Sequence, residues 1–182
     1  AGLGVTTFVN TGALTIGAGG DITSGGAFDQ SGGGTVSTAG DITTTNAAIG
    51  FADPVTLTAA VALSSGAGAG TITFGGTLLG TQTLSLTAGS GNIDFDGIVG
   101  ATPLGAVTIV SAGNVTADAA FSAASLVQSA GTGTTQFDGA LITTAVAGVN
   151  ITAAAINLNS TINTTAGLGV TTFVNTGALT IG

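Results

Sequence analysis

The string AGLGVTTFVNTGALTIG fills residues 1–17 and recurs, letter for letter, at residues 166–182. Composition bias does not produce seventeen matches in seventeen positions. The chain therefore returns to its own beginning after 165 residues. Recurrence at a fixed period marks a repeat architecture, in which each unit stacks on the one before it. Residues 1–165 are expected to form one unit, and residues 166–182 to start the next identical unit as a continuation of the same stack.

Inside the unit the apolar residues come in short alternating bursts. Leu14-Thr15-Ile16, Val55-Thr56-Leu57-Thr58, Thr71-Ile72-Thr73-Phe74, Leu84-Ser85-Leu86-Thr87 and Ile156-Asn157-Leu158-Asn159 all read apolar in, polar out, with period two. That is the strand signal. No stretch of eleven or more residues carries a 3.6-residue period with helix-forming residues. Gly-rich breaks such as GAGG, SGGG and GAGAG separate the bursts. Glycine accepts backbone angles that a Cβ forbids, which suits tight corners. The chain is expected to be all-β.

Two internal rulers set the coil length. Gly20-Asp21-Ile22-Thr23, Gly40-Asp41-Ile42-Thr43, Gly70-Thr71-Ile72-Thr73, Gly91-Asn92-Ile93-Asp94 and Gly113-Asn114-Val115-Thr116 share one pattern, at spacings of 20, 30, 21 and 22. The spacing points to a period near 21, with one irregular coil between Gly40 and Gly70. Phe8, Phe28, Phe51, Phe74, Phe95, Phe121, Phe137 and Phe173 are spaced 20, 23, 23, 21, 26, 16 and 36. The last gap has room for one more coil with Leu158 in the aromatic place. The rulers agree on period but not on phase, so they do not predict one continuous aromatic column. The expected fold is a right-handed parallel β-helix (a β-solenoid) with about eight coils of roughly 20 residues per unit. Seven or nine coils also fit. Eight coils at the usual strand spacing advance about 38 Å.

Composition narrows the function classes. The 182 residues include no Lys, Arg, His, Cys, Met, Trp or Tyr, and all eight acidic residues are aspartate, for a net charge of −8. Apolar residues make up 44%, which is too many for a disordered charged chain. Collagen is excluded by the irregular Gly spacing and by having only two prolines. Phosphate binding rests on Lys and Arg, so nucleic acid is not an expected partner. Anionic membranes repel such a surface, and no apolar run is long enough for a spanning helix, so no membrane insertion is expected. The chain opens without an initiator Met or a signal sequence, as a segment from inside something longer would.

General acid–base and nucleophilic catalysis lose nearly all their usual side chains here. No catalytic, cofactor-binding or metal residue is nominated, and the chain is not expected to be an enzyme. The nearest candidates are Asp94 and Asp96, two apart on one outward face. They form either a working carboxylate pair or two solvated strand residues. Asp21 and Asp41 follow corner glycines, with Asn92 and Asn114 in the matching places. They are either calcium ligands in a turn or turn residues bonded to nearby backbone. Apart from that calcium alternative, no cofactor is expected. Asp29, Asp53, Asp118 and Asp138 read as isolated loop residues. The Thr56/Thr58 and Thr71/Thr73 pairs suggest a flat Thr array of the ice-binding kind, but they are not kept from coil to coil.

The strings LSLTAGSGNIDFDG, VTIVSAGNVTADAAF and TITFGG resemble repeats of giant bacterial surface proteins, the filamentous-haemagglutinin-like exoproteins and related large adhesins. The resemblance covers essentially the whole chain. It implies secretion, a right-handed parallel β-helical shaft and a role in adhesion, aggregation or biofilm. No functional residue of that family maps onto this sequence. The long perfect recurrence and the absence of Lys and Arg depart from an average member and point to a dedicated fibre. The resulting expectation is a structural subunit of an extracellular or cell-surface filament. Its partner would be itself, by end-to-end stacking or tandem continuation, with lateral association between filaments. The alternative is the shaft or a binding segment of a large adhesin.

Overall fold

Alternating short strands with Gly corners can satisfy their backbone only by lying on equivalents one coil away, and the chain does this throughout. The computed structural model describes residues 4–182; Ala1, Gly2 and Leu3, the first letters of the repeated string, lie outside the described residues. A parallel β-solenoid of eight full coils and one further strand results. Among the described residues the sole helical element is a 3-10 turn at Thr165–Gly167.

Each coil has three faces. The first face stacks nine strands, from Thr6–Val9 and Phe28–Ser31 through Ile72–Phe74 and Ile93–Phe95 to Ala155–Leu158 and Leu179–Ile181. The second begins with Leu14–Ile16 and Val36–Thr38 and ends with Leu141–Thr143 and Ile162–Asn163. The third runs from Ile22–Ser24 and Ile42–Thr44 to Val149–Ala153 and Thr171–Asn175. The second and third faces merge midway, where the long strands Val99–Ser111 and Phe121–Gln128 continue around the corner between them. Val99–Ser111 bulges outward between Val99 and Leu104, which lets Pro103 sit in a strand without breaking the ladder.

Every strand pairing among the described residues is parallel. On the first face, residues one coil apart are offset by 22, 21, 23, 21, 22, 20, 21 and 23 positions. The coil is therefore regular along its whole length, and no coil is irregular between Gly40 and Gly70. The recurring Gly pattern changes corner instead. Gly20 and Gly40 lead into the third-face strands Ile22–Ser24 and Ile42–Thr44, whereas Gly70, Gly91 and Gly113 lead into first-face strands. The 30-residue interval is one coil plus one face. Gly89 shows why corners need glycine. Its φ is +59°, and a Cβ there would collide with the Ala67 carbonyl carbon of the coil before.

Inside, the phenylalanines form one continuous column, contrary to what their phases suggest. Seven rings, from Phe8 through Phe28, Phe51, Phe74, Phe95 and Phe121 to Phe137, stack with neighbouring centroids 5.2–5.7 Å apart. The phase differences disappear because a ring can reach the column from more than one backbone site. Phe51, Phe74 and Phe95 occupy equivalent positions, while in the coil before them Gln30 takes that position and Phe28 supplies the ring from two residues earlier. One coil after Phe95 the position holds Ala117, and the space is filled by Phe121 from the second face. Ring planes accordingly change from stacked at Phe74–Phe95, 1° apart, to edge-on at Phe95–Phe121, 82° apart. Leu158 pairs with Phe137, so it does hold the aromatic place in its coil.

Phe173 belongs elsewhere. It lies on the third face beside Ile151, not on the first face with its copy Phe8. The two copies of the repeated string are thus separated by seven coils and two faces rather than by eight coils.

Phe74 is fully buried at the centre of the column, with a ring on each side. Replacing it with Ala leaves a cavity that the closed coils cannot collapse into. Phe74→Ala is expected to cost about 3–5 kcal/mol in denaturant unfolding. A loss under about 1 kcal/mol would show that the rings do not support one another.

Candidate functional surface

The surface of the described residues consists of three outward faces, the corners between them and the two ends of the stack. The outward columns follow directly from the strand register. On the first face the column reads Thr7, Asp29, Gly50, Thr73, Asp94, Thr116, Gln136, Asn157 and Thr180. On the second face Thr15, Ser37 and Thr56 lead to Leu79. Neither is a flat Thr array.

Corner Asx residues act between coils. The Asp41 N–H donates to Asp21 Oδ1 at 2.9 Å, and the Ala62 N–H to Asp41 Oδ1 at 2.7 Å. At the next corner the Gly68 N–H donates to Asn46 Oδ1 at 2.7 Å, the Asn114 N–H to Asn92 Oδ1 at 3.1 Å, and the Thr134 N–H to Asn114 Oδ1 at 2.8 Å. These are not local turn bonds. Each side chain accepts the N–H of a residue 20–22 positions later, where the ladder leaves a backbone donor at a corner. Asp53 has a similar post: Gln30 Nε2 and the Gly33 N–H both donate to its Oδ2, at 2.8 and 2.9 Å.

Four of the eight aspartates gather at the end of the first face. Asp96, Asp118 and Asp138 each follow the inward residue of their coil (Phe95, Ala117 and Phe137), and those inward residues are register partners. The three carboxylates therefore form one column at the coil spacing of about 4.8 Å. Asn159 continues it, and its Nδ2 donates to Asp138 Oδ1 at 2.6 Å. Gln136 Nε2 also donates to Asp138, at 3.0 and 3.1 Å. Asp94 stands beside this column, between Thr73 and Thr116. Partial burial raises its pKa first, and the charges of Asp96 and Asp118 raise it further; a hydrogen bond from Thr116 works the other way. A shallow open groove of 480 Å³ runs across the same face, floored by Gly50, Ala52 and Gly75 and flanked by Asp29 and Asp96.

The Asp94–Asp96 pair is thus part of a larger anionic ridge. Asp118 and Asp138 belong to that ridge although they read as isolated in the sequence. The signal was present as Phe95-Asp96-Gly97 and Phe137-Asp138-Gly139, one string in two coils. No group of three or more Asp, Glu, His or Cys residues is arranged to hold a metal ion among the described residues. The ridge offers charge and hydrogen-bond acceptors.

The ends differ from the sides. Of ten exposed large apolar residues among the described residues, Val5 and Val9 lie in the first coil, and Leu168, Val170, Val174, Leu179 and Ile181 in the last coil and the strand beyond it. Phe8, Leu14, Ile22, Ile162 and Phe173 pack against the core but are only partly covered, and all five are in terminal coils. The core is closed along its sides and open at both ends.

The chain matches no protein-family model, no curated protein and no solved structure. The likeness to filamentous-haemagglutinin-like repeats therefore stands at the level of a parallel β-solenoid with an internal repeat.

Asp94 gives a pH test. A carboxyl group whose pKa is raised on folding stabilises the fold most when protonated, and this contribution is lost as pH rises through its folded value. Asp94→Asn should raise the melting temperature at pH 7, with the gain vanishing below the ordinary carboxylate range. An equal gain at pH 7 and pH 3 would show that the effect is not electrostatic.

Proposed function

We propose that this chain is a segment of a load-bearing shaft: a structural unit of an extracellular or cell-surface filament built from near-identical tandem repeats. One observation carries this reading. The strands of the second copy, Thr171–Asn175 and Leu179–Ile181, lie on the coil before them in unbroken parallel register, and Phe173 packs against the same core. A second unit that starts this way is a continuation and not a separate domain.

The surface is consistent with a shaft outside cells. No Lys or Arg is present, so trypsin-type proteases have no cleavage site. All charge is negative, and eight carboxylates spread over roughly 37 Å of axis hold neighbouring shafts apart at low salt. Divalent cations would screen and bridge the acidic columns and allow lateral association. The role proposed is mechanical, with no catalysis and no bound cofactor. An adhesin shaft whose own face contacts a surface is the second reading. The groove on the first face favours it, although exposed aromatic side chains, the usual sugar platform, are missing beside that groove.

Negative-stain electron microscopy of the full-length protein that carries this chain tests the proposal. Unbranched rods are expected, with a width set by one solenoid. Compact particles without rods would overturn it. Millimolar calcium or magnesium added at low ionic strength should gather the rods into bundles that disperse on chelation. Rods that stay single with either cation would remove the lateral part of the proposal.

A further inference from the structure

The same seventeen letters stand on different faces at the two ends of the chain. In the first copy Thr6–Val9 lies on the first face and Leu14–Ile16 on the second. In the second copy the matching strand Thr171–Asn175 lies on the third face, and Leu179–Ile181 on the first. The assignment has moved back by one face. It follows that 165 residues wind seven coils and two faces, which leaves each unit one face short of a whole number of coils.

We propose that the terminal coil receives the rest of a second copy of this unit, turned by about a third of a turn about the solenoid axis, so that successive units form a three-fold screw. This rests on the filament reading above.

The surface offered to the next unit is defined. Within the first unit, Thr6 pairs with Phe28 and Phe8 with Gln30, while Leu14 pairs with Val36 and Ile16 with Thr38. The copies of Thr6, Phe8, Leu14 and Ile16 are Thr171, Phe173, Leu179 and Ile181, and their far edges are free. They can accept the copies of Phe28–Ser31 and Val36–Thr38 in the register already used once in this chain. The corner between tolerates the shift, because the Gly-x-Ile-Thr pattern leads into the third face at Gly20 and into the first at Gly70. The core tolerates it too. Phe173 opens a new ring column on the third face where the first-face column has ended at Phe137 and Leu158.

In such a screw the phenylalanine column and the acidic ridge change face at every unit boundary. Both return to their starting face after three units, or about 23 coils.

Cryo-electron microscopy of filaments of the full-length protein, at a resolution that shows phenylalanine rings, tests this. The expected result is an advance of about 37 Å per unit, a ring column that shifts by one face at each boundary, and a true repeat near 110 Å. A ring column that stays on one face throughout, with a true repeat near 38 Å, overturns the screw and leaves the filament intact. Separate capped particles overturn the filament reading and the screw with it.

Discussion

Everything in this molecule depends on one constraint: a backbone group finds its partner one coil away. Parallel strands at a fixed spacing confine changes in coil length to the corners and bulges, because a residue gained or lost inside a strand would turn its later side chains to the other face. The offsets, 19–24 residues over the three faces, express that constraint. Variation is allowed only at corners and bulges, which is where Gly, Pro103 and the Asx side chains are found. The corner aspartates and asparagines extend the same ladder, since they take up N–H groups that would otherwise lack an acceptor where the strands turn.

The core obeys a weaker rule than the ladder. It needs a filled volume at each level but does not prescribe which backbone position fills it. Ala117 with Phe121, and Gln30 with Phe28, are two solutions to the same filling problem. Gln30 shows what an interior polar group needs there. Its amide is buried but donates to Asn10 Oδ1 and Asp53 Oδ2, so the exchange of an aromatic for an amide leaves no orphan donor at that level. Gln128 and Thr143 are less well served: Nε2 of the former and Oγ1 of the latter are buried without a partner.

This difference explains what could be read from the sequence. Period-two bursts and Gly breaks report the ladder, so the all-β solenoid of about eight coils was legible. Recurring letters report which residues suit a corner or a core level, and those requirements are alike on all three faces. The Gly pattern and the phenylalanines could therefore count coils but not name faces. The supposed irregular coil after Gly40 was a change of face, and the count of eight between Phe8 and Phe173 hid a missing third. The acidic ridge is hidden in the sequence for a related reason. Asp96, Asp118 and Asp138 are neighbours only once the register of Phe95, Ala117 and Phe137 is known.

The position of the second copy also bears on stiffness. One unit is lopsided, with bulky rings along one side, a glycine-floored groove outside them and a bulged coil at Val99–Ser111. Such unevenness would bow a single unit in one direction. Stacked without rotation, many units would add their bows into a curve or a coil. Units that each start one face back point their bows in three directions in turn, and over three units these cancel. Straightness in an array of this kind needs no symmetry within the unit, only a unit length that misses a whole number of coils.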